Sequence, residues 1–358
     1  MNTTRGLRSV LRPLRRRARE ARRALQGVVA RSMARPVVLL FHRVMPPGLD
    51  PQLLAVRPAV FEAQLAMLAT RYEVLPLAQL LEEARQGRYG RRRVAISFDD
   101  GYCDNFRIAA PILRRYALPA TIFAVGAPLV SGHEFWWDDV ERVLLSAATL
   151  PETFHFEGSE NAVSFSLGAE RKWMQGEAAR FLGWNVTQEA PTRRHMMYLR
   201  LMEIGRQAPV DYRNQLVAAL RSWAELPAGA RRDHGSMTVD EIRAVAAEGL
   251  IAIGAHTMNH PMLSALSAAQ QREEIVQSKA LIERLTGQTA AGFAYPYGER
   301  SHFTAETAQC VHDAGLPWAC ANVPGVVDAD CRFLEVPRLL VRDCPPEALA
   351  DMIDRRIY

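Results

Sequence analysis

Val94-Ala95-Ile96-Ser97-Phe98-Asp99-Asp100-Gly101 is the stretch on which the fold of this chain turns. Its first five residues are apolar or small, two of them β-branched, which is the pattern of a strand buried on both faces. Such strands belong to parallel sheets covered by helices. This one ends abruptly in two carboxylates and a glycine. In parallel α/β architectures sites are built at the C-terminal strand ends, so the two acids are placed at a working edge. Taken alone, Asp-Gly is also an ordinary turn.

Working outward, Val37-Val38-Leu39-Leu40-Phe41 repeats the buried-strand pattern, and Pro58–Thr70 carries Val60, Leu65 and Leu68 at helical spacing. After Gly101 a helix is expected through Tyr116, followed by a strand over Thr121–Val125. Residues 131–235 have mixed helical stretches and no catalytic pattern, and they read as an insertion or lid. Beyond them Thr238-x-x-Glu241 forms a capping box, Ile251–Gly254 reads as a strand, and Ser267-x-x-Gln270 opens a helix that Gly287 closes. Gly292–Ala294 reads as a short strand, Thr304–Ala314 as a helix and Leu334–Val341 as a final strand. Strands alternating with helices imply an α/β fold with a mainly parallel sheet, barrel-like or doubly wound. The expected organisation is an arm over 1–35, a catalytic body over 36–345 with its insertion at 131–235, and a C-terminal helix or tail over 346–358.

The 358 residues carry a formal charge of +5, but the charge is unevenly placed. Residues 1–35 hold eleven arginines against the single acid Glu20, leaving 33 basic and 38 acidic residues for the body. Leu7, Val10, Leu11, Leu14, Ala18, Ala21, Leu25 and Val28 recur at steps of three or four, interrupted by Pro13. That is the pattern of a basic amphipathic helix suited to an anionic membrane surface, a solvated arm being the plainer alternative. No aromatic residue is available there to stack on bases, so a nucleic-acid partner is not expected. No run of 18 apolar residues reads as a spanning helix, and no secretory core precedes the fold. The five cysteines (Cys103, Cys310, Cys320, Cys331, Cys344) include no C-x-x-C pair, which fits reduced thiols. The expected location is cytoplasmic, peripheral on the inner membrane face.

Two further clusters carry chemistry. His256-Thr-Met-Asn-His260-Pro261 follows a strand end, and two imidazoles four residues apart can meet one ion if the segment turns. With one carboxylate from another strand they make an Asp/His/His set with open coordination positions, which a catalytic metal requires. Phe293-Ala-Tyr-Pro-Tyr-Gly298 ends a third strand, and its Pro-Tyr-Gly turn can present the Tyr297 N–H to a developing oxyanion. Trp136-Trp137-Asp138 is either a sugar-stacking rim or part of a small core.

Together, Ser97-Phe-Asp-Asp-Gly101, His256-Thr-x-x-His260-Pro261 and Phe293-Ala-Tyr-Pro-Tyr-Gly298 resemble the first three motifs of the polysaccharide deacetylases, the NodB-like carbohydrate esterase group. The resemblance implies a deformed (β/α) barrel that removes N-acetyl groups from a carbohydrate, a bacterial polysaccharide or a lipid-linked saccharide precursor. It implies Asp99 as general base, Asp100, His256 and His260 as ligands of one divalent metal (zinc, with cobalt, nickel or manganese as alternatives), and the Tyr297 amide as oxyanion donor. Tyr295, Pro296, Trp136, Trp137 and Arg338 are expected to line the substrate site.

Two departures stand out. Ala294 occupies the place of the third motif's arginine, so Arg338 is assigned as a substitute charge beside the base. The late Leu-x-His motif is missing after residue 312, whereas Leu40-Phe41-His42 lies on the first strand. That order resembles circularly permuted poly-N-acetylglucosamine deacetylases and makes His42 the expected general acid. An O-acetyl esterase on the same site, or a saccharide-binding protein with a decayed site, are the alternatives.

Overall fold

The computed structural model describes residues 35–357 apart from 90, 91, 175, 227, 228, 329 and 330. The helix expected over the arginine-rich arm lies outside the described residues. In chain order the strands are β1 (Val37–Phe41), β2 (Arg43–Val44), β3 (Ala55–Val56), β4 (Glu73–Val74), β5 (Arg93–Phe98) and β6 (Ala120–Ala124). There follow β7 (Thr153–Glu157), β8 (Ala162–Ser166), β9 (Ile251–Ala255), β10 (Phe293–Ala294), β11 (Ala319–Cys320) and β12 (Leu339–Leu340).

Seven of these form one curled, wholly parallel sheet in the order β11-β10-β9-β6-β5-β1-β12, with β4 added against β5. The deciding strand β5 lies inside it between β6 and β1, buried from Val94 to Phe98, as its composition requires. Phe41, Phe61 and Phe98 pack ring against ring between the sheet and the helix Pro58–Arg71. The chain is thus a deformed (β/α) half-barrel.

Local signals set most boundaries. Thr238–Glu241 and Ser267–Gln270 form reciprocal capping boxes, and Gly287 closes the helix Ala268–Thr286 in the left-handed conformation. The expected strand Leu334–Val341 is cut to β12 plus an isolated bridge between Cys320 and Val336. Pro337 stands between the two pieces without an N–H to give the ladder.

Residues 131–235 are not a loose lid. They comprise the hairpin β7–β8 and several helices, chiefly Trp136–Glu141, Arg193–Gln207 and Val210–Trp223. These close over a second core that includes Phe135, Trp136, Trp137, Tyr198, Leu201 and Leu220. Arg194 is fully buried there and donates to the carbonyls of Leu144, Ala147 and Glu170, closing a helix end without an opposing carboxylate. Gly205 lets its helix dock, since a Cβ at that position would lie 2.5 Å from the Trp136 ring.

Candidate active site

The motif residues converge because parallel strands share one C-terminal edge. Just beyond the strand ends the ladder continues. Asp99 N–H donates to Phe41 O (3.0 Å), Val125 N–H to Asp100 O (3.2 Å), His256 N–H to Ala124 O (3.2 Å) and Tyr295 N–H to Cys320 O (3.1 Å). Residues remote in sequence are therefore placed side by side by backbone pairing alone. One cavity of about 70 Å³ is lined by His42, Asp99, Asp100, Trp136, Trp137, His256, His260 and Tyr297, together with Gln52, Leu54, Met202, Arg206 and Asn322.

The backbone there is held in an uncommon conformation. Asp100 (φ 71°), Thr257 (64°), His260 (53°) and Tyr297 (60°) are left-handed non-glycine residues, and all four fall in the three motifs. Such residues cost on the order of 1–3 kcal/mol each and persist where the surroundings hold them. Gly101 (φ 76°) follows directly, and a Cβ there would meet Ala124 Cβ at 2.9 Å. The glycine after the two acids is required by both torsion and space.

Asp100 Oδ1 lies 3.5 Å from His256 Nε2 and 3.4 Å from His260 Nε2. It is buried and has no hydrogen-bond partner among the described residues. Bonds of roughly 2.0–2.1 Å at tetrahedral angles put neighbouring donor atoms about 3.3–3.4 Å apart, the spacing observed. Among the described residues this set has one donor atom from each side chain, all within 4.8 Å of one another. His256 Nδ1–H donates to Ala294 O at 2.7 Å, which turns Nε2 toward Asp100. The residues therefore fit one divalent cation.

The loop that presents His260 is clamped from three sides. His260 N–H donates to Thr257 Oγ1 (3.0 Å). The buried Glu274 carboxylate accepts from the Met258 and Asn259 amides (2.8 and 2.9 Å) and from Asn259 Nδ2. Arg213, from the insertion, donates to the carbonyls of Asn259 (2.5 Å) and His260 (3.2 Å).

Burial alone would neutralise Asp99, but Arg338 overrides it. The Arg338 guanidinium, fully buried, meets Asp99 in a two-pronged pair at 2.7 and 2.7 Å and holds its carboxyl below the usual carboxylate range. Burial likewise opposes charge on Asp100, yet the two imidazoles keep it ionised. His260 is pushed down to about 4 by burial, only partly offset by Asp100, and so stands neutral at pH 7 with its lone pair available. His42 is also lowered by burial against the pull of Asp100 and Asp99. Its own backbone is fixed by Asn105 Nδ2 donating to His42 O at 2.8 Å.

Comparison with known proteins gives these features a place. The polysaccharide deacetylase family model matches residues 86–156 and 221–318. The chain carries a polysaccharide deacetylase domain. Residues 157–220, which hold β8, the helix Arg193–Gln207 and most of the helix Val210–Trp223, fall between the matched segments. The Bacillus subtilis (strain 168) protein YxkH, named for the same family, is 32% identical over 108 residues. That stretch covers 30% of this chain and 37% of YxkH, so the chain spans little more than a third of that relative. The Streptococcus pyogenes deacetylase PplD, solved with acetate, matches 89% of this chain and 98% of its own at TM-score 0.55 and 16% identity. IcaB from Ammonifex degensii matches 89% and 97% at TM-score 0.52 and 18% identity. Both likenesses are of fold.

Within the deacetylase domain the expected site residues divide. His42, Asp99, Asp100, His256, His260, Tyr297, Trp136 and Trp137 share the cavity. Tyr295 does not reach it: its ring stacks on Phe303 at 4.1 Å and its hydroxyl donates to Leu334 O. Pro296 is buried beside it and is not on the cavity wall. Arg338 is no substrate contact either, being consumed by Asp99. Trp137 serves both readings of the tryptophan pair, since it faces the cavity while its indole N–H donates to the buried Tyr102 hydroxyl at 2.6 Å. The residues that the sequence reading missed are Glu274, Arg213, Arg206, Gln52, Leu54, Met202 and Asn322. Glu274 and Arg213 had a signal: each is a charged residue on the buried stripe of an otherwise amphipathic helix.

Proposed function

We propose that this chain is a metal-dependent deacetylase that hydrolyses N-acetyl groups of a saccharide at the Asp99–Asp100–His256–His260 cavity. The observation that carries the reading is the orphaned Asp100 oxygen at coordination-polyhedron distance from two histidine nitrogens. Beside it stands a second carboxylate kept ionised by an arginine of its own. Two adjacent acids with separate counter-charges suit separate tasks, one as ligand and one as base.

A divalent cation bound by Asp100, His256 and His260 would supply Lewis acidity toward the acetamide carbonyl and acidify a water in the cavity. Asp99 takes the proton of the attacking water. The Tyr297 N–H, presented by its left-handed turn, donates to the oxygen on which negative charge develops. His42, whose protonated form burial disfavours and Asp100 and Asp99 favour, returns a proton to the nitrogen as the C–N bond breaks, giving acetate and a free amine. Arg338 keeps Asp99 aligned and charged throughout. The cation itself is best read as zinc, which suits two imidazoles and one carboxylate with open positions. The small cavity admits an acetamide and its water, and the tryptophans at its wall suit the apolar face of a sugar ring.

Acetate release from N-acetylated oligosaccharides by the full chain tests the reading. Activity that a chelator abolishes and one divalent metal restores is the expected result. Acetate from O-acetyl sugars without amine formation would transfer the site to ester chemistry, and stoichiometric metal with no acetate from either would end the hydrolase assignment.

A further inference from the structure

Arg206, near the end of the helix Arg193–Gln207, is a cation on the wall of the catalytic cavity with no carboxylate partner among the described residues. Its one hydrogen bond to a side chain runs from Nη2 to the neutral Gln52 Oε1 at 3.0 Å, and its Nε is buried without an acceptor. Arg338 on the same site is neutralised by Asp99, and Arg213 is spent on two carbonyls of the metal-ligand loop. Arg206 alone among the three lines the cavity itself. Trp136 Nε1 and Tyr297 Oη on the same wall are buried donors without a hydrogen-bond acceptor among the described residues, and they add to the call on an incoming anion. With a divalent ion on the Asp100 set, the cavity wall would carry surplus positive charge on two sides.

The guanidinium lies 5.8 Å from the Tyr297 ring centroid, and that ring lies 4.7 Å from the His260 ring. Arg206 is therefore two side-chain widths from the proposed ligand set, a separation that one sugar ring bridges. The helix bearing it lies wholly within residues 157–220, the segment left unmatched by the deacetylase family model, so this cation is an addition to the common machinery.

We infer that Arg206 binds an anionic group, a carboxylate or a phosphate ester, carried by the saccharide close to the acetamide that is cleaved. The chain is then selective for acidic saccharides. This rests on the deacetylase reading above. The plainer role for Arg206, closing the wall through Gln52, predicts no such selectivity.

The test compares an N-acetylhexosamine disaccharide with counterparts bearing a 6-phosphate or a neighbouring uronate, using the full chain. The acidic substrates should be preferred at least about tenfold in kcat/KM. Arg206→Met should cut that preference about ten- to hundredfold, through KM rather than kcat. Arg206→Lys should keep part of it. Arg200→Met, on the exposed face and paired with Glu203, should leave it intact. A second readout is inorganic phosphate binding followed by tryptophan fluorescence, with and without added divalent metal. Wild type should bind in both states, and Arg206→Met should lose binding in the metal-free one. Equal turnover of neutral and acidic substrates, or an unaltered preference in Arg206→Met, overturns the inference and leaves the deacetylase reading standing. If no substrate yields acetate, that reading falls, and the phosphate measurement alone decides: binding unchanged by Arg206→Met rejects the site, and its loss upholds it.

Discussion

The strand-end half of the cavity and the inserted half are built on different terms. The strand ends bring Asp99, Asp100, His256, Tyr297 and His42 together through ladder hydrogen bonds, so their relative positions are set by backbone pairing. The insertion brings Trp136, Trp137, Met202, Arg206 and Arg213 through side-chain packing over a separate core. A site with a fixed reacting edge and a packed opposite wall can change what it accepts without disturbing what it does. The first half should thus respond to substitution in kcat, and the second in metal retention, KM and stability.

The largest expected effect is on the strand-end side. Asp99→Asn should lower kcat by about 10⁴ with metal content unchanged, read from acetate release and elemental analysis. A variant that keeps wild-type turnover would remove the base from that edge. His42→Ala should lower kcat by about 10²-fold, again with full metal, and more steeply for poor amine leaving groups. An unaltered rate would pass the acid role elsewhere.

Arg213→Met crosses the divide. It removes two donors to the loop carrying His260 and should weaken divalent-metal affinity about tenfold, measurable by competition with a chromophoric chelator. Unchanged affinity would show that Glu274 suffices to hold that loop. The smallest effect belongs wholly to the insertion. Burial raises Asp139 to about 6, with Arg221 offsetting only part of it. The folded state therefore holds a proton that the unfolded chain releases near 4. Stability from this group falls as pH rises from about 4 to 6. Asp139→Asn should flatten that slope and add on the order of 1 kcal/mol at pH 7, seen in denaturant midpoints. A slope identical to wild type would place the titration elsewhere.

The same division explains what could be read from the chain. Each strand-end motif is a short run in which buried strand, abrupt polar residue and turn glycine are adjacent, so Asp99, Asp100, His256, His260 and Tyr297 were legible. His42 could be placed at that edge because Leu40-Phe41-His42, on a buried strand, resembles the Leu-x-His motif of the permuted deacetylases. The pairing of Arg338 with Asp99 could be assigned as a charge but not as a geometry, since the two are 239 residues apart. Tyr295 misled because strand alternation would put it on the same side as Tyr297, but the strand ends at Ala294 and the chain turns left-handed at Tyr297 (φ 60°), so Tyr295 stays in the core while Tyr297 faces the cavity. Arg206 and Met202 lie on a helix whose apolar pattern reveals that it packs, but not against what.

The Asp99–Arg338 pair also bears on how the molecule is made. β1 is flanked by β5 and by β12, so the earliest strand of the sheet waits for the latest one. Until residue 338 has left the ribosome, the nascent sheet holds an acid that burial penalises and no counter-ion can reach. Closing so long a loop is slow compared with local helix formation. The aspartate should therefore stay hydrated until the last strand docks, and a chain cut short before residue 338 would possess every motif of the reacting edge and still be unable to seal it.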